Sequence, residues 1–565
     1  MQRLRTFTGL LTGAAFLLLA TGCGTAAQPA APATAPDAGA AAPSGPVTPK
    51  VNRLIVAMPA PSQEGNVPGW LGTPSIVALK ASYEYVATVD DKTGKFTPEL
   101  ATEWKLEPDG KSYRFQVRKG VMFHRDFGEL TAKDITFTIK DIGDEKSQHA
   151  YAGDYRTLIA STEEPNPYEA VFNLTRPDAA FISNISHQLS GGEIHSFAER
   201  QKLGAPAMAD KASAGTGPYQ YKERQQGAWI RFERVSFKHW RVQPDFPELE
   251  LRWVGEPSTR LAGVLTGEIH LAPIPNDLQA QGAKAGMKIA TGAIPGVRLF
   301  MRFRGAYLAD LKDPSKGPKF PDSPWWNVNV RRALNKAVNR EELSKTLFGG
   351  KTETLILNHY HQGSRKGWNP EWEKKFPEAY GFDPAKAKDL LAQAGYGPTK
   401  PLQVQLVLVN LAEVPNTQDV EEAIGNYWKQ AGVQVQLVTI DRAEDTRKTN
   451  AQEWVNAVDI FAAPSDQFTG VWVFNTYFNR PYNGNAVHIP EIDTLFQRVR
   501  AELDETKQDA LWRQLGDLLF DAVQQVPLYW LPVEVMYNPT IVAGYTFPGS
   551  TSGLYTKLET IKAAR

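Results

Sequence analysis

Between Leu402 and Ile440 the chain spells out a strand, a helix and a second strand, and that order decides what class of body it can build. Leu402, Val404, Leu406 and Leu408 recur at the two-residue period of a half-buried strand. From about Thr417, Val420, Ile424 and Tyr427 or Trp428 recur at helical spacing, and Gly432 ends the run. Val433, Val435 and Leu437, then Val438 to Ile440, make the second strand. Two strands joined through a helix lie parallel with a right-handed crossover, so the protein is α/β.

Other segments carry their own start and stop signals. Trp104 to Leu106, the turn Pro108-Asp109-Gly110, and alternating Tyr113, Phe115 and Val117 predict a hairpin. Thr131 with Asp134 forms a capping box for a helix through Ile142, and Asn339 with Glu342 forms another toward Leu347, stopped by Gly349-Gly350. Asp383-Pro384 opens a helix with Ala387, Leu390, Leu391 and Ala394 on its apolar face, and Gly395 closes it. One long helix is expected from about Ile492 to Gln524, followed by a buried strand at Pro527-Leu528-Tyr529-Trp530. Gly215 and Gly217 around Thr216 suit a tight backbone passage into a strand, and the absence of a Lys at phosphate-loop spacing argues against nucleotide.

Charge narrows the functions. Lys plus Arg and Asp plus Glu both number 62, so no net field draws the protein to nucleic acid. No Gly-x-Ser-x-Gly or His-Glu-x-x-His stands in the chain, so no catalytic residue is expected. A glycosidase pair of dispersed carboxylates keeps a secreted hydrolase open as an alternative. His359-Tyr360-His361 has no carboxylate or Cys at metal spacing and reads as an exposed loop, so neither metal nor cofactor is expected.

The amino terminus reads as an export signal. Arg3 and Arg5 precede an apolar run from about Phe7 to Ala20, which is short for a membrane span. Ala20-Thr21-Gly22-Cys23 then resembles the lipobox of bacterial lipoproteins, with Ala20 where the pattern usually has Leu, and Cys23 is the only cysteine of the chain. The resemblance implies a signal peptide over 1–22 and a lipid on Cys23, which anchors the protein to a membrane. Residues 23–50, rich in Ala and Pro, cannot bury enough apolar surface to offset their ordering entropy and read as a disordered tether of roughly 30 Å.

Five motifs in register resemble the family 5 extracellular solute-binding proteins, the oligopeptide, dipeptide and nickel receptors of ABC importers. They are Pro98-Glu99-Leu100-Ala101-Thr102-Glu103-Trp104; Phe115-Gln116-Val117-Arg118-Lys119-Gly120-Val121-Met122-Phe123-His124; Gly215-Thr216-Gly217-Pro218-Tyr219; Val330-Arg331-Arg332-Ala333-Leu334; and Asp383-Pro384 leading to Ala394-Gly395-Tyr396. The resemblance implies a bilobal periplasmic-binding-protein-like fold with an additional small lobe and a hinged cleft. Lobe I with the small lobe would occupy 51–295, a closing lobe 296–526, and a return to lobe I 527–565. It also implies a monomer that captures a peptide-like solute and hands it to ABC permease subunits, exported and held at the outer face of the cell membrane or in the periplasm.

Site residues follow from the same likeness. Asp466 stands where peptide-binding members place the acid that pairs with the ligand's α-amino group, although Ala462-Ala463-Pro464 replaces the usual Gly-Trp before it. Glu64 lies in the loop after the first strand, and Trp70 and Trp472 flank the two loops. For each indole, core packing is the competing assignment. Arg331 and Arg332 are expected in solvated or salt-bridged structural roles, and Trp325-Trp326 in packing. The 14 Trp residues keep an oligosaccharide cargo open. A lipoprotein chaperone or signalling receptor would share the export features.

Overall fold

The computed structural model describes residues 48–464, 487–546 and 557–565, apart from short stretches at 62, 91–94, 150–151, 179–180, 187–191, 211–213, 293–294, 311–312, 363–366, 409–413, 415 and 441. Val47–Arg565 forms one compact unit. The signal segment, Cys23, and the tether up to 47 lie outside the described residues, as do Asp466 and Trp472.

The strand-helix-strand unit is present. Gln403–Leu408 and Gln434–Thr439 pair in parallel, Gln403 opposite Gln434, with the helix Thr417–Gln430 between them. They form the edge of a six-stranded sheet ordered 353–354, 525–531, 297–304, 457–464, 403–408, 434–439. A seven-stranded sheet is ordered 288–291, 534–537, 271–272, 53–58, 248–253, 229–234, 219–225, and Arg53–Met58 runs parallel to Glu248–Trp253. The third sheet, four strands within 101–174, is antiparallel throughout and begins with the expected hairpin, Ala101–Leu106 and Ser112–Val117.

The cores explain the lobes. One apolar cluster fills the four-stranded part, from Val86 to Ala214. A larger one lies on both big sheets and continues between them through Val533 and Val535. A third, with Trp372, Phe496, Trp512 and Phe520, fills the helical side of the six-stranded part. The chain crosses between the two big sheets twice, after Thr291 and after Leu531, and the crossings touch: Gly292 N–H donates to Val533 O at 3.0 Å and Gly296 N–H to Leu531 O at 3.1 Å. The strand Gln525–Leu531 is still part of the six-stranded sheet, paired with Val297–Arg304.

Local signals were obeyed where they were chemical. Thr131 and Asp134 form the capping box of Ala132–Ile142, Asn339 caps Arg340–Leu347, and Asp383 Oδ1 accepts the Lys386 N–H at 2.9 Å. Each cap is worth about 1 kcal/mol. The expected long helix is instead two, Pro490–Ala501 and Glu505–Ala522. Asp504 ends the first possibility by accepting the Lys507 N–H at 2.9 Å, which starts a new helix.

Two expectations of exposure are corrected. His359 and His361 are buried, His359 at a positive φ in a turn, and its Nδ1 lies 3.1 Å from an Arg298 guanidinium nitrogen. Arg331 is not solvated, and it makes no salt bridge among the described residues. It is buried and donates to the carbonyls of Ala522, Val523 and Trp325, where the helix Glu505–Ala522 leaves carbonyls without helical partners. Trp325 packs as expected, fully buried, its Nε1 donating to Arg304 O at 2.9 Å.

Glu421, on the helix Thr417–Gln430, is buried against the six-stranded sheet, and its Oε1 accepts the Ile460 N–H at 3.0 Å. Burial pushes its carboxyl up to about 9, with the Ile460 bond opposing and the Asp459 charge adding to the rise. The folded protein therefore keeps a proton that the unfolded chain releases near 4.5. This stabilisation is fully present below that value and is lost as pH climbs to about 9. From pH 6 to 9 the wild type should lose on the order of 3–4 kcal/mol that Glu421→Gln retains, measured as urea midpoints at both pH values. Parallel pH profiles for the two proteins would refute this.

Candidate functional site

In open α/β sheets, ligands bind beyond the carboxyl ends of parallel strands. In the seven-stranded sheet, Arg53–Met58 and Glu248–Trp253 end together in such a position, Met58 opposite Trp253. The chain leaving Met58 folds back over this end. Glu64 Oε1 accepts the N–H of Gly227, at the tip of the neighbouring hairpin, at 2.7 Å. Arg224 Nη2 donates to Gly65 O at 2.9 Å and to Asn66 Oδ1. Tyr83 hydroxyl donates to Asn66 O at 2.8 Å, and Trp253 N–H donates to Ala228 O at 2.8 Å.

These bonds leave capacity unused. Glu64 Oε2, Asn66 Nδ2, Arg224 Nε and Trp253 Nε1 are all shielded from solvent, and none has a hydrogen-bond partner among the described residues. An unmade buried bond costs about 1–3 kcal/mol, so native folds seldom leave several in one loop. One carboxylate oxygen and three N–H donors thus stand unfilled on residues at and beside this strand terminus.

Trp70 stands on the same loop with 38 % of its surface exposed, which favours a presented indole over a core one. Its backbone is held: Gly69 O accepts from Ser147 Oγ at 2.6 Å and from Gln148 N–H at 3.0 Å. Of the four expected ligand residues, the structure thus describes Glu64 and Trp70, while Asp466 and Trp472 lie outside the described residues. Asn66, Arg224 and Trp253 went unnoticed in the sequence. A Trp closing an alternating strand was a signal for the last; nothing local marked the other two.

On the six-stranded sheet, Ala457–Pro464 runs parallel to Gln403–Leu408 and leads directly into 465–486. Its position is held by a buried ion network. Asp459 takes both Arg302 Nε, at 3.0 Å, and Arg302 Nη2, and accepts Arg304 Nη1 at 2.8 Å; Arg304 Nη1 also donates to Asp445 at 2.8 Å. Burial alone would raise the Asp459 carboxyl, but the two guanidinium groups outweigh it and hold it below the usual range. A separate cavity of about 360 Å³, counting all space between atoms, is lined by Asn358, His359, Gln524 and Gln525. Its free room suits a water and not a solute. Among the described residues no three His, Cys, Asp or Glu side chains stand where they could hold a metal, and no helix is long and apolar enough to cross a membrane.

Residues 95–481 match the profile described as bacterial extracellular solute-binding proteins, family 5 Middle. The dipeptide-binding protein of Escherichia coli K12 is 25 % identical over 468 residues, covering 79 % of this chain and 82 % of that protein. Heme-binding protein A of Haemophilus influenzae is 26 % identical over 495 residues, covering 82 % and 84 %. Among solved structures, the periplasmic binding protein DppA of Helicobacter pylori in complex with the peptide STSA superposes with a TM-score of 0.72 at 20 % identity, over 91 % of this chain and 98 % of that one. The fold is that of the periplasmic binding proteins, α/β with a third, smaller lobe.

Proposed function

The chain belongs to the family 5 bacterial extracellular solute-binding proteins, and from that membership we propose that it captures a peptide-like solute and delivers it to an ABC permease. The observation that carries the cargo class is the unfilled group set at Glu64. Glu64 Oε2 suits a ligand ammonium, and Asn66 Nδ2, Arg224 Nε and Trp253 Nε1 suit carbonyl or carboxylate oxygens. A peptide supplies both kinds. The Escherichia coli relative is a dipeptide-binding protein and the Helicobacter pylori neighbour holds a peptide, which supports this reading, while the Haemophilus relative binds heme.

In this proposal Asp466 and Trp472 come from the closing lobe to meet Glu64 and Trp70, and the lobes pivot at the two crossings that touch at Gly292, Gly296, Leu531 and Val533. The protein is exported and works as a monomer, with Cys23 lipidated. Membrane fractions should release it when Cys23 is replaced by Ser, and recovery of the Cys23→Ser protein still in the membrane would remove the anchor.

Short peptides should raise the melting temperature of the purified protein, since a ligand bound only by the native state stabilises it. Glu64→Gln should weaken peptide binding about tenfold or more while leaving the unliganded melting temperature within a degree or two. Stabilisation by oligosaccharides alone would overturn the peptide reading, and release of cleaved products would overturn passive capture.

A further inference from the structure

The small lobe touches the closing lobe through a buried ion pair. Arg500 Nη2 donates to Asp178 Oδ2, 322 positions away in sequence. Asp178 follows the strand Glu169–Leu174 of the four-stranded sheet, and Arg500 sits in the last turn of the helix Pro490–Ala501. Their side chains are 1 % and 7 % exposed. Asp178 is not free to follow Arg500 about. Its carbonyl accepts the Tyr113 hydroxyl at 3.2 Å and the Phe181 N–H at 3.3 Å, which ties it to the small-lobe core. Arg500 is adjacent to Val499, a member of the closing-lobe core. Beside the pair, Leu503 reaches the Pro108-Asp109-Gly110 turn of the small lobe: a Cβ on Gly110 would lie 2.9 Å from Leu503 Cδ1.

We propose that Asp178 and Arg500 form a latch that holds the closing lobe docked on the small lobe, so that cargo leaves only after the pair has parted. The reasoning is electrostatic. Taking either charge out of water costs several kcal/mol, which the opposite charge offsets at contact distance, so a half-formed contact is worse than a complete or an absent one. A pair of this kind between two separately cored bodies favours two discrete states, docked and parted, and disfavours the positions between. When the lobes part, both charges regain water, which is why the pair can open at all. The latch rests on the capture reading only for its purpose; its existence can be tested without cargo.

Because Cys23 is the only cysteine, a Cys23→Ser background with Lys111→Cys and Thr506→Cys carries one spin label on each lobe. Pulsed dipolar spectroscopy of the unliganded protein should give a short distance as the main population. Arg500→Met and Asp178→Asn should each raise the population of longer distances about tenfold or more, and the exchange Asp178→Arg with Arg500→Asp should restore part of the short one. Leu503→Ala, at an exposed position, provides the same readout with a smaller shift should the charge variants not fold. Unchanged distance distributions in the folded variants would overturn the latch, even if their melting temperatures fell. Where a peptide binds, the same variants should release it faster; distances that shift with no peptide bound by any variant would leave the latch standing and remove the cargo reading.

Discussion

Asp459→Ala is expected to lower the free energy of unfolding by about 3–5 kcal/mol, because it removes the carboxylate that two buried guanidinium groups share. Arg302 and Arg304 both donate to this one carboxylate, and both lie on the strand Val297–Arg304 at the centre of the six-stranded sheet. Asp445 remains as a partner for Arg304, so Arg302 suffers most. Replacing the acid and Arg302 together by apolar residues of similar volume should cost much less than the single change. Acid reveals the same group. Its carboxyl is held below the ordinary value of 3.8 by Arg302 and Arg304 against the opposing effect of burial. Its stabilisation is thus whole above that value and lost as pH falls through the lower folded one. The gap between wild type and Asp459→Ala, read from guanidinium midpoints, should stay constant from pH 7 to about 5 and narrow only in stronger acid. Since Ala457–Pro464 carries the chain into 465–486, the proposed affinity for peptides should weaken with the variant as well. A loss below about 1 kcal/mol would mean that water reaches the guanidinium groups, and the buried-network account would fail.

Features governed by near neighbours in sequence were legible; those governed by distant ones were not. The caps at Thr131, Asn339 and Asp383 need only residues three positions on, and each forms as read. The parallel unit at 402–440 was legible because its period and its helix leave one topology. The break before Asp504 was missed because Leu503 continues an apolar rhythm that hides the cap behind it. The burial of His359 depends on Arg298, and that of Arg331 on a helix end nearly two hundred positions away. Glu64 does follow the first strand, but its bond to Gly227, 163 residues on, and the unfilled bonds around it were not legible. Composition treats a histidine or an arginine as a surface residue by default; only the assembled carbonyls of other segments reverse that.

Gly215→Val is the other change with a large expected effect, and it explains a motif that chemistry alone leaves silent. Gly215-Thr216-Gly217 marks a joint. It is where the chain leaves the small-lobe core, to which Ala214 belongs, and enters the seven-stranded sheet, to which Tyr219 belongs. The outward crossing runs alongside at 81–86, and the two lie backbone to backbone: Gly217 N–H donates to Ser82 O at 3.0 Å and Tyr219 N–H to Ala81 O at 3.3 Å. A Cβ on Gly215 would lie 2.9 Å from the Ser82 carbonyl carbon and closer still to its oxygen, and one on Gly217 would lie 2.6 Å from Ala81 O. Neither contact ends on a flexible side chain, so the crossings themselves must move apart. The far side is closed too, since His124 N–H donates to Gly215 O at 3.0 Å and the His239 ring lies 2.9 Å from Thr216 O. Valine at 215 should therefore cost at least about 3 kcal/mol or prevent folding outright, and alanine should cost only somewhat less. The diagnostic result is where the damage falls. Amide exchange should rise first in the small-lobe core around Phe115, Phe172 and Phe181, whose two attachments to the sheet are these crossings, while the six-stranded sheet keeps its protection. Uniform loss across all three sheets would mean that the crossings are not a separable joint and that the small lobe folds only as part of the whole.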